Sequence, residues 1–265
     1  MSAINPAVVQ WIEQLADADQ AVAFYAYQCL QDEVFQAGRP GQRDAQAALA
    51  RILGQELVAD AKTAVANGPA SFRNNAFLAA AATGERAPLH PARVRTKLAR
   101  LLGYIPHPEA APYLAKALTD LEARDTARQA LECHRSEQAV DALIAALDSA
   151  GAEFCCGVVN SLAKLRGEKA AAALRKAAED RQDEVRIAAI YALAEFPEPT
   201  HDAIIARSLQ PGSPQERKAA HIARVRLAAT LRASGNRSAA ERIYRAILDS
   251  DAPEPQKRAS RLALG

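Results

Sequence analysis

Aromatic residues are scarce in this 265-residue chain, at 5% with a single tryptophan. A surface that stacks nucleic-acid bases needs exposed rings on a basic ground, and such a composition supplies few. Glycine and proline are also few, 12 and 14, which argues against a collagen-like, low-complexity or turn-rich β-sandwich chain. The four cysteines, Cys29, Cys133, Cys155 and Cys156, do not make a disulfide framework. Adjacent Cys155 and Cys156 cannot easily pair with each other, so reduced thiols acting as small packing groups are expected. Charge of one sign is missing too: 33 basic residues against 31 acidic leave +2, no global signature of nucleic-acid or membrane binding. The longest uncharged stretches, such as 20–31, are far too short to span a bilayer. The N-terminus shows no basic start followed by an apolar core, so no signal peptide and a cytoplasmic location are expected.

Alanine is abundant, 63 residues, and the apolar positions repeat. Four segments align without gaps: 94–118, 123–147, 154–178 and 185–209. Their anchor leucines are Leu102, Leu131, Leu162 and Leu193. Sixteen residues after each anchor stand Leu118, Leu147, Ala178 and Leu209, and four before those stand Leu114, Leu143, Leu174 and Ile205. Val94, Ala123, Phe154 and Val185 open the segments, with Leu98, Ala127, Val158 and Ala189 one turn later. Spacing of this kind predicts two amphipathic helices per segment. Breakers lie between them: Pro106 and Pro108, Ser136, Gly167, then Pro197 and Pro199. Each hairpin leaves an apolar face bare, so neighbouring hairpins must stack. Towards the N-terminus the pattern predicts helices over 6–16, 20–36, 43–60 and 71–83.

Val94-Arg95 and Val185-Arg186 open first helices that continue through alanine-rich turns to the anchor leucine. At these residues the chain resembles the HEAT-like repeat family, in the short form of the phycobilisome-lyase type, over residues 91–210. Residues 227–250 resemble a tetratricopeptide-type hairpin through Ala239, Ala240, Tyr244 and Ala246. The resemblance implies an all-α fold, a right-handed α-solenoid of helical hairpins. The chain then divides into divergent N-terminal repeats (1–90), four HEAT-like repeats (91–210) and a C-terminal hairpin and cap (211–265), in one continuous solenoid. One column departs from the family: Arg95, Arg124 and Arg186 share it, but Cys155 occupies it in the third copy.

Enzymes among HEAT-like proteins suggest motifs to look for. Deoxyhypusine hydroxylases carry His-Glu pairs that hold iron, and here none of the five histidines precedes a glutamate. HEAT-like glycosylases use tryptophans in a basic groove; Trp11 instead has core spacing with Val8, Ile12 and Leu15. Phycobilin lyases share the repeat, yet no residue here carries their activity over. Neither a phosphate-loop nor a nucleophile-elbow motif occurs. The expectation is therefore no enzyme, no catalytic residues, no metal site and no cofactor.

One constellation remains. Two residues after each first apolar anchor of the second helices stand Lys116, Ala145, Lys176 and Arg207, with Tyr113 one turn before Lys116. By analogy with HEAT-like solenoids this column is expected to line the concave face as a basic stripe for an acidic protein or peptide partner. Arg217, His221 and Arg224, spaced four and three apart, form a second candidate basic face. The functional expectation is a non-catalytic interaction scaffold or adaptor. Its alternatives are a nucleic-acid-binding solenoid and a subunit of a lyase-type enzyme; no membrane partner is expected.

Overall fold

The structure, a computed structural model, describes residues 4–60, 88–148, 151–210 and 213–265. Helices account for the regular structure of these residues, as the alternation-free sequence predicts. They are α1 (Val8–Gln14), α2 (Gln20–Ala37), α3 (Arg43–Leu57), α4 (Ala92–Gly103), α5 (Ala111–Ala117), α6 (Arg124–His134), α7 (Glu137–Leu147), α8 (Ala152–Leu165), α9 (Glu168–Ala177), α10 (Asp183–Leu193), α11 (His201–Arg207), α12 (Pro214–Ala233), α13 (Arg237–Leu248) and α14 (Glu254–Leu264). The helix expected at 71–83 lies outside the described residues.

The chain divides into two compact units, Met1–Leu143 and Ile144–Gly265. The division falls inside α7, away from the repeat-based boundaries at 90 and 210. In a stack where each hairpin touches only its neighbours, compactness does not respect repeat boundaries. In the first unit α3, α4 and α6 stack as successive first helices, and α5 packs against α4 and α6. In the second unit α8, α10 and α12 stack in the same way, α9 packs between α8 and α10, and α13 and α14 close the run.

The aligned columns form the core. The four anchor leucines are fully buried, and so are Leu114, Leu143, Leu174 and Ile205. Val94, Ala123, Phe154 and Val185 are buried as well, each at the opening of a first helix. Two positions in the last column are half-exposed, Leu147 at the end of α7 and Leu209 in the turn after α11. Trp11 is half-buried beside a fully buried Val8, Ile12 and Leu15. Cys155 is buried and Cys156 partly so; burial, reinforced by the charge of Glu184, raises the Cys156 thiol.

Turn chemistry follows the breakers. The Ser136 hydroxyl accepts a hydrogen bond from the Ala139 amide at 3.2 Å, capping α7. Ser213 does the same for α12 through the Glu216 amide at 3.2 Å. Gly167, at φ 87°, makes the left-handed turn into α9 that a side chain would resist.

Gly54 in α3 has a different reason to lack a side chain. A Cβ there would fall within the van der Waals envelope of the Tyr113 ring of α5. On an open helix, Gly→Ala would add about 1 kcal/mol of stability. Here Gly54→Ala is expected to cost about 1–3 kcal/mol through overpacking. Tyr113→Ala in the same chain should remove that penalty, so the two effects will not add. Urea melts of the four proteins of the cycle check this; a Gly54→Ala variant more stable than the parent would contradict it.

Candidate partner-binding site

The α2 helix starts at Asp19, whose carboxylate accepts the Ala21 amide at 2.8 Å. It turns Ala23, Ala26, Leu30, Val34 and Ala37 inward. That leaves rings on its outer side. Phe24 is 63% exposed, Tyr25 67% and Phe35 61%, while Tyr27 is half-buried. Exposed Gln28 and Asp32 lie between Phe24 and Phe35, so the rings form two apolar spots, each costly to keep in water.

Alongside lies α4. It buries Val94, Leu98, Leu101 and Leu102 and presents Arg93, Lys97, Arg100 and Tyr104 along its other face. These four are spaced four, three and four apart, so they share one helical stripe. The Lys97 ammonium sits 5.5 Å from the centre of the Tyr27 ring, a cation–π arrangement. The Tyr104 ring meets Phe35 at a centroid distance of 6.4 Å. Arg93 donates to the Ala16 carbonyl at 2.6 Å, and the Arg100 guanidinium lies close enough to the Tyr27 phenol to act on its pKa. Burial pushes the Tyr27 phenol up, against the pull of Arg100. Burial, helped by the like charge of Arg93, pushes the Lys97 ammonium down. Among the described residues, none of Arg93, Lys97 and Arg100 is paired with a carboxylate. Between the end of α1, α2 and α4 runs a groove of about 590 Å³ with Leu15, Phe24 and Tyr27 on its apolar side and Arg93 and Lys97 on its basic side.

The residues singled out from the sequence lie elsewhere, and only some are open. The Tyr113 ring is half-buried over Gly54, so it is a packing residue. Lys116 is exposed at the end of α5. Lys176 is 79% exposed but paired with Asp148 at 3.0 Å, and Arg207 is 68% exposed but paired with Glu179 at 2.9 Å. Lys176 and Arg207 each face a carboxylate one position after an apolar column, so the stripe is mixed in sign there.

The second candidate face needs correction. Of its three residues only Arg217 is exposed. His221 is buried, and burial pushes its imidazole pKa down, which keeps it neutral. Arg224 is buried too, with Nε 2.7 Å and Nη2 3.1 Å from the two oxygens of Asp202. The reason is that α10, α11, α13 and α14 pack against the side of α12 that carries His221 and Arg224, so only Arg217 of the three reaches solvent.

The sequence reading missed the α2–α4 surface. Its one signal was the crowding of four aromatic residues into α2 in a chain otherwise poor in them. The repeated arginine column is structural at Arg95, which binds Asp120 at 2.5 and 3.0 Å and donates to the His90 carbonyl at 2.6 Å. His134 and His201 hold the carbonyls of the anchor residues Leu102 and Leu193, at 3.0 and 3.1 Å. No group of three or more metal-ligating side chains comes together among the described residues. No helix among them is long and apolar enough to cross a membrane.

Residues 94–120, which comprise α4 from Val94 on, α5 and the turn that carries Asp120, match the family model described as the PBS lyase HEAT-like repeat. This segment is a HEAT-like repeat. No curated protein matches the chain. Among solved structures, the complex of CpcE and CpcF of phycocyanin lyase from Nostoc sp. is 19% identical, covering 99% of this chain and 96% of that one, with a TM-score of 0.42. Human deoxyhypusine hydroxylase is 18% identical over 97% and 94%, with a TM-score of 0.37. A designed armadillo repeat protein is 20% identical over 89% and 100%, with a TM-score of 0.34.

The family model that matches residues 94–120 is named for a lyase. The expectation that the chain is not an enzyme is withdrawn on that finding. It rested on missing linear motifs, and a stack of helices assembles its surfaces from residues far apart in sequence, where no such motif forms.

Proposed function

We propose that this HEAT-like chain is a partner-dependent subunit that binds another protein through the exposed face of α2 and α4. The observation that carries the reading is the exposure of three rings on one helix, Phe24, Tyr25 and Phe35, with exposed Tyr104 against Phe35. Aromatic residues concentrate binding energy at protein interfaces. The column of Lys116, Lys176 and Arg207 is the weaker candidate, because an incoming carboxylate would have to displace Asp148 and Glu179. The name of the matching repeat favours a lyase-type assembly over a purely structural adaptor. The four free cysteines fit a reducing compartment such as the cytoplasm.

Crosslinking of the full chain in its native cells, followed by mass spectrometry and reconstitution with the purified partner, tests the reading. A stable complex is expected. Phe24→Ser, Tyr25→Ser and Phe35→Ser together should abolish it with little change in melting temperature, since all three rings are exposed. Undiminished binding by the triple variant would rule out this face. Failure to form a complex with any protein would rule out the function.

A further inference from the structure

We propose that the groove between α2 and α4 takes an extended acidic segment of the protein partner, its carboxylates on Arg93, Lys97 and Arg100 and an apolar side chain against Phe24 and Tyr27. The proposal rests on the partner-binding reading above and names the chemistry of the partner.

Three observations support it. The first is charge left uncompensated: three cations line one stripe of α4, their contacts being a carbonyl, a ring and a phenol, with no carboxylate among the described residues. Arg93 and Lys97 repel each other, and an incoming anion relieves that repulsion. The second is spacing. With a rise of about 1.5 Å per residue, Lys97 stands about 6 Å along the axis from Arg93, and Arg100 about 4.5 Å further. Same-side side chains of an extended peptide repeat about every 6.7 Å, so carboxylates at alternate positions reach two or three of the cations in turn. The third is the opposite wall, where Phe24 lies open and Tyr27 is half-buried, a seat for one apolar side chain beside the charges. Nucleic acid fits less well. A phosphate-tracking path needs basic residues along its whole length, and the basic lining of this groove is Arg93 and Lys97.

The test uses the full chain and a fluorescein-labelled twelve-residue peptide of alternating glutamate and serine with one central tryptophan. Its lysine counterpart and a dodecamer of oligothymidine serve as the other probes, with binding read by anisotropy at low and high salt. The glutamate peptide should bind, weaken with salt, and lose about tenfold or more in affinity on Lys97→Glu with Arg100→Glu. Phe24→Ala should weaken it severalfold. Lys176→Glu with Arg207→Glu should leave it unchanged. If the charge-reversed pair does not keep the parent's melting temperature, Lys97→Gln with Arg100→Gln replaces it, with the same loss expected in smaller degree. Equal affinity for the lysine peptide, tighter binding of oligothymidine, or binding indifferent to Lys97 and Arg100 would overturn the proposal. The two readings fail separately. A reconstituted complex insensitive to Lys97 and Arg100 defeats this proposal and leaves the partner-binding function standing. A chain that binds the peptide but associates with no protein defeats both.

Discussion

Arg186→Met is expected to destabilise the second unit by about 3 kcal/mol at neutral pH, the lower end of the cost of breaking a buried ion pair. Glu216 is only 3% exposed, and Arg186 reaches both its carboxylate oxygens, Nε at 2.9 Å and Nη2 at 2.7 Å. The same guanidinium holds Asp183 at 2.7 Å and the Asp180 carbonyl at 2.8 Å. It ties the start of α10 to the first turn of α12. The lower end applies because the Arg186 side chain is 20% exposed and keeps some contact with water. The variant would leave the Glu216 carboxylate buried without its cation.

The effect depends on pH, with a definite sign. The hydrogen bond from Arg186 holds the Glu216 carboxyl below its ordinary value in the folded chain. Its stabilisation is therefore complete above the unfolded carboxyl pKa and lost as pH falls through the lower folded value. Without Arg186, burial raises the Glu216 pKa instead, so the variant gains relative stability when acid neutralises the group. Urea midpoints at pH 7.5 and 4.5 should show a smaller deficit at the lower pH. Arg186→Met with Glu216→Met should recover much of the loss, since an apolar pair leaves no buried charge. An equal deficit at both pH values would show that packing of the guanidinium, not charge, is what Arg186 contributes.

Leu143→Ala is expected to cost about 2–5 kcal/mol, the range for a buried large-to-small change. Leu143 is fully buried on the inner face of α7, and its neighbours one turn away on that face are Ala139 and Ala146, both buried. Alanines have no side chain that can swing into the vacated space, so the cavity persists and the cost should fall in the upper half of the range. The half-buried Ile144 on the same helix is the control, and Ile144→Ala should cost clearly less. Equal costs in denaturant melts would mean that the apolar columns do not mark the core.

Much of the fold is legible in the sequence because helix packing repeats. Each hairpin must bury the same stripe, so Leu102, Leu131, Leu162 and Leu193 recur in phase and all prove fully buried. Breakers are equally local: Ser136 and Gly167 act on their own helix ends. Charge is a poorer guide. Lys176 and Arg207 share a column with Lys116, but whether a cation is free depends on what stands opposite, and Asp148 and Glu179 do. Arg224 and His221 have the spacing of a solvated face, yet both are buried where neighbouring helices pack against α12.

The sequence by itself determined the helices, their pairing into hairpins and the residues that fill the core, since these depend on periodicity along one chain segment. Only the tertiary structure decided which polar and aromatic side chains remain open. The rings of α2 and the cations of α4 are more than fifty residues apart in the chain, and they meet only because α4 packs beside α2. Exposure and pairing depend on neighbours brought from a distance, and no local spacing records them.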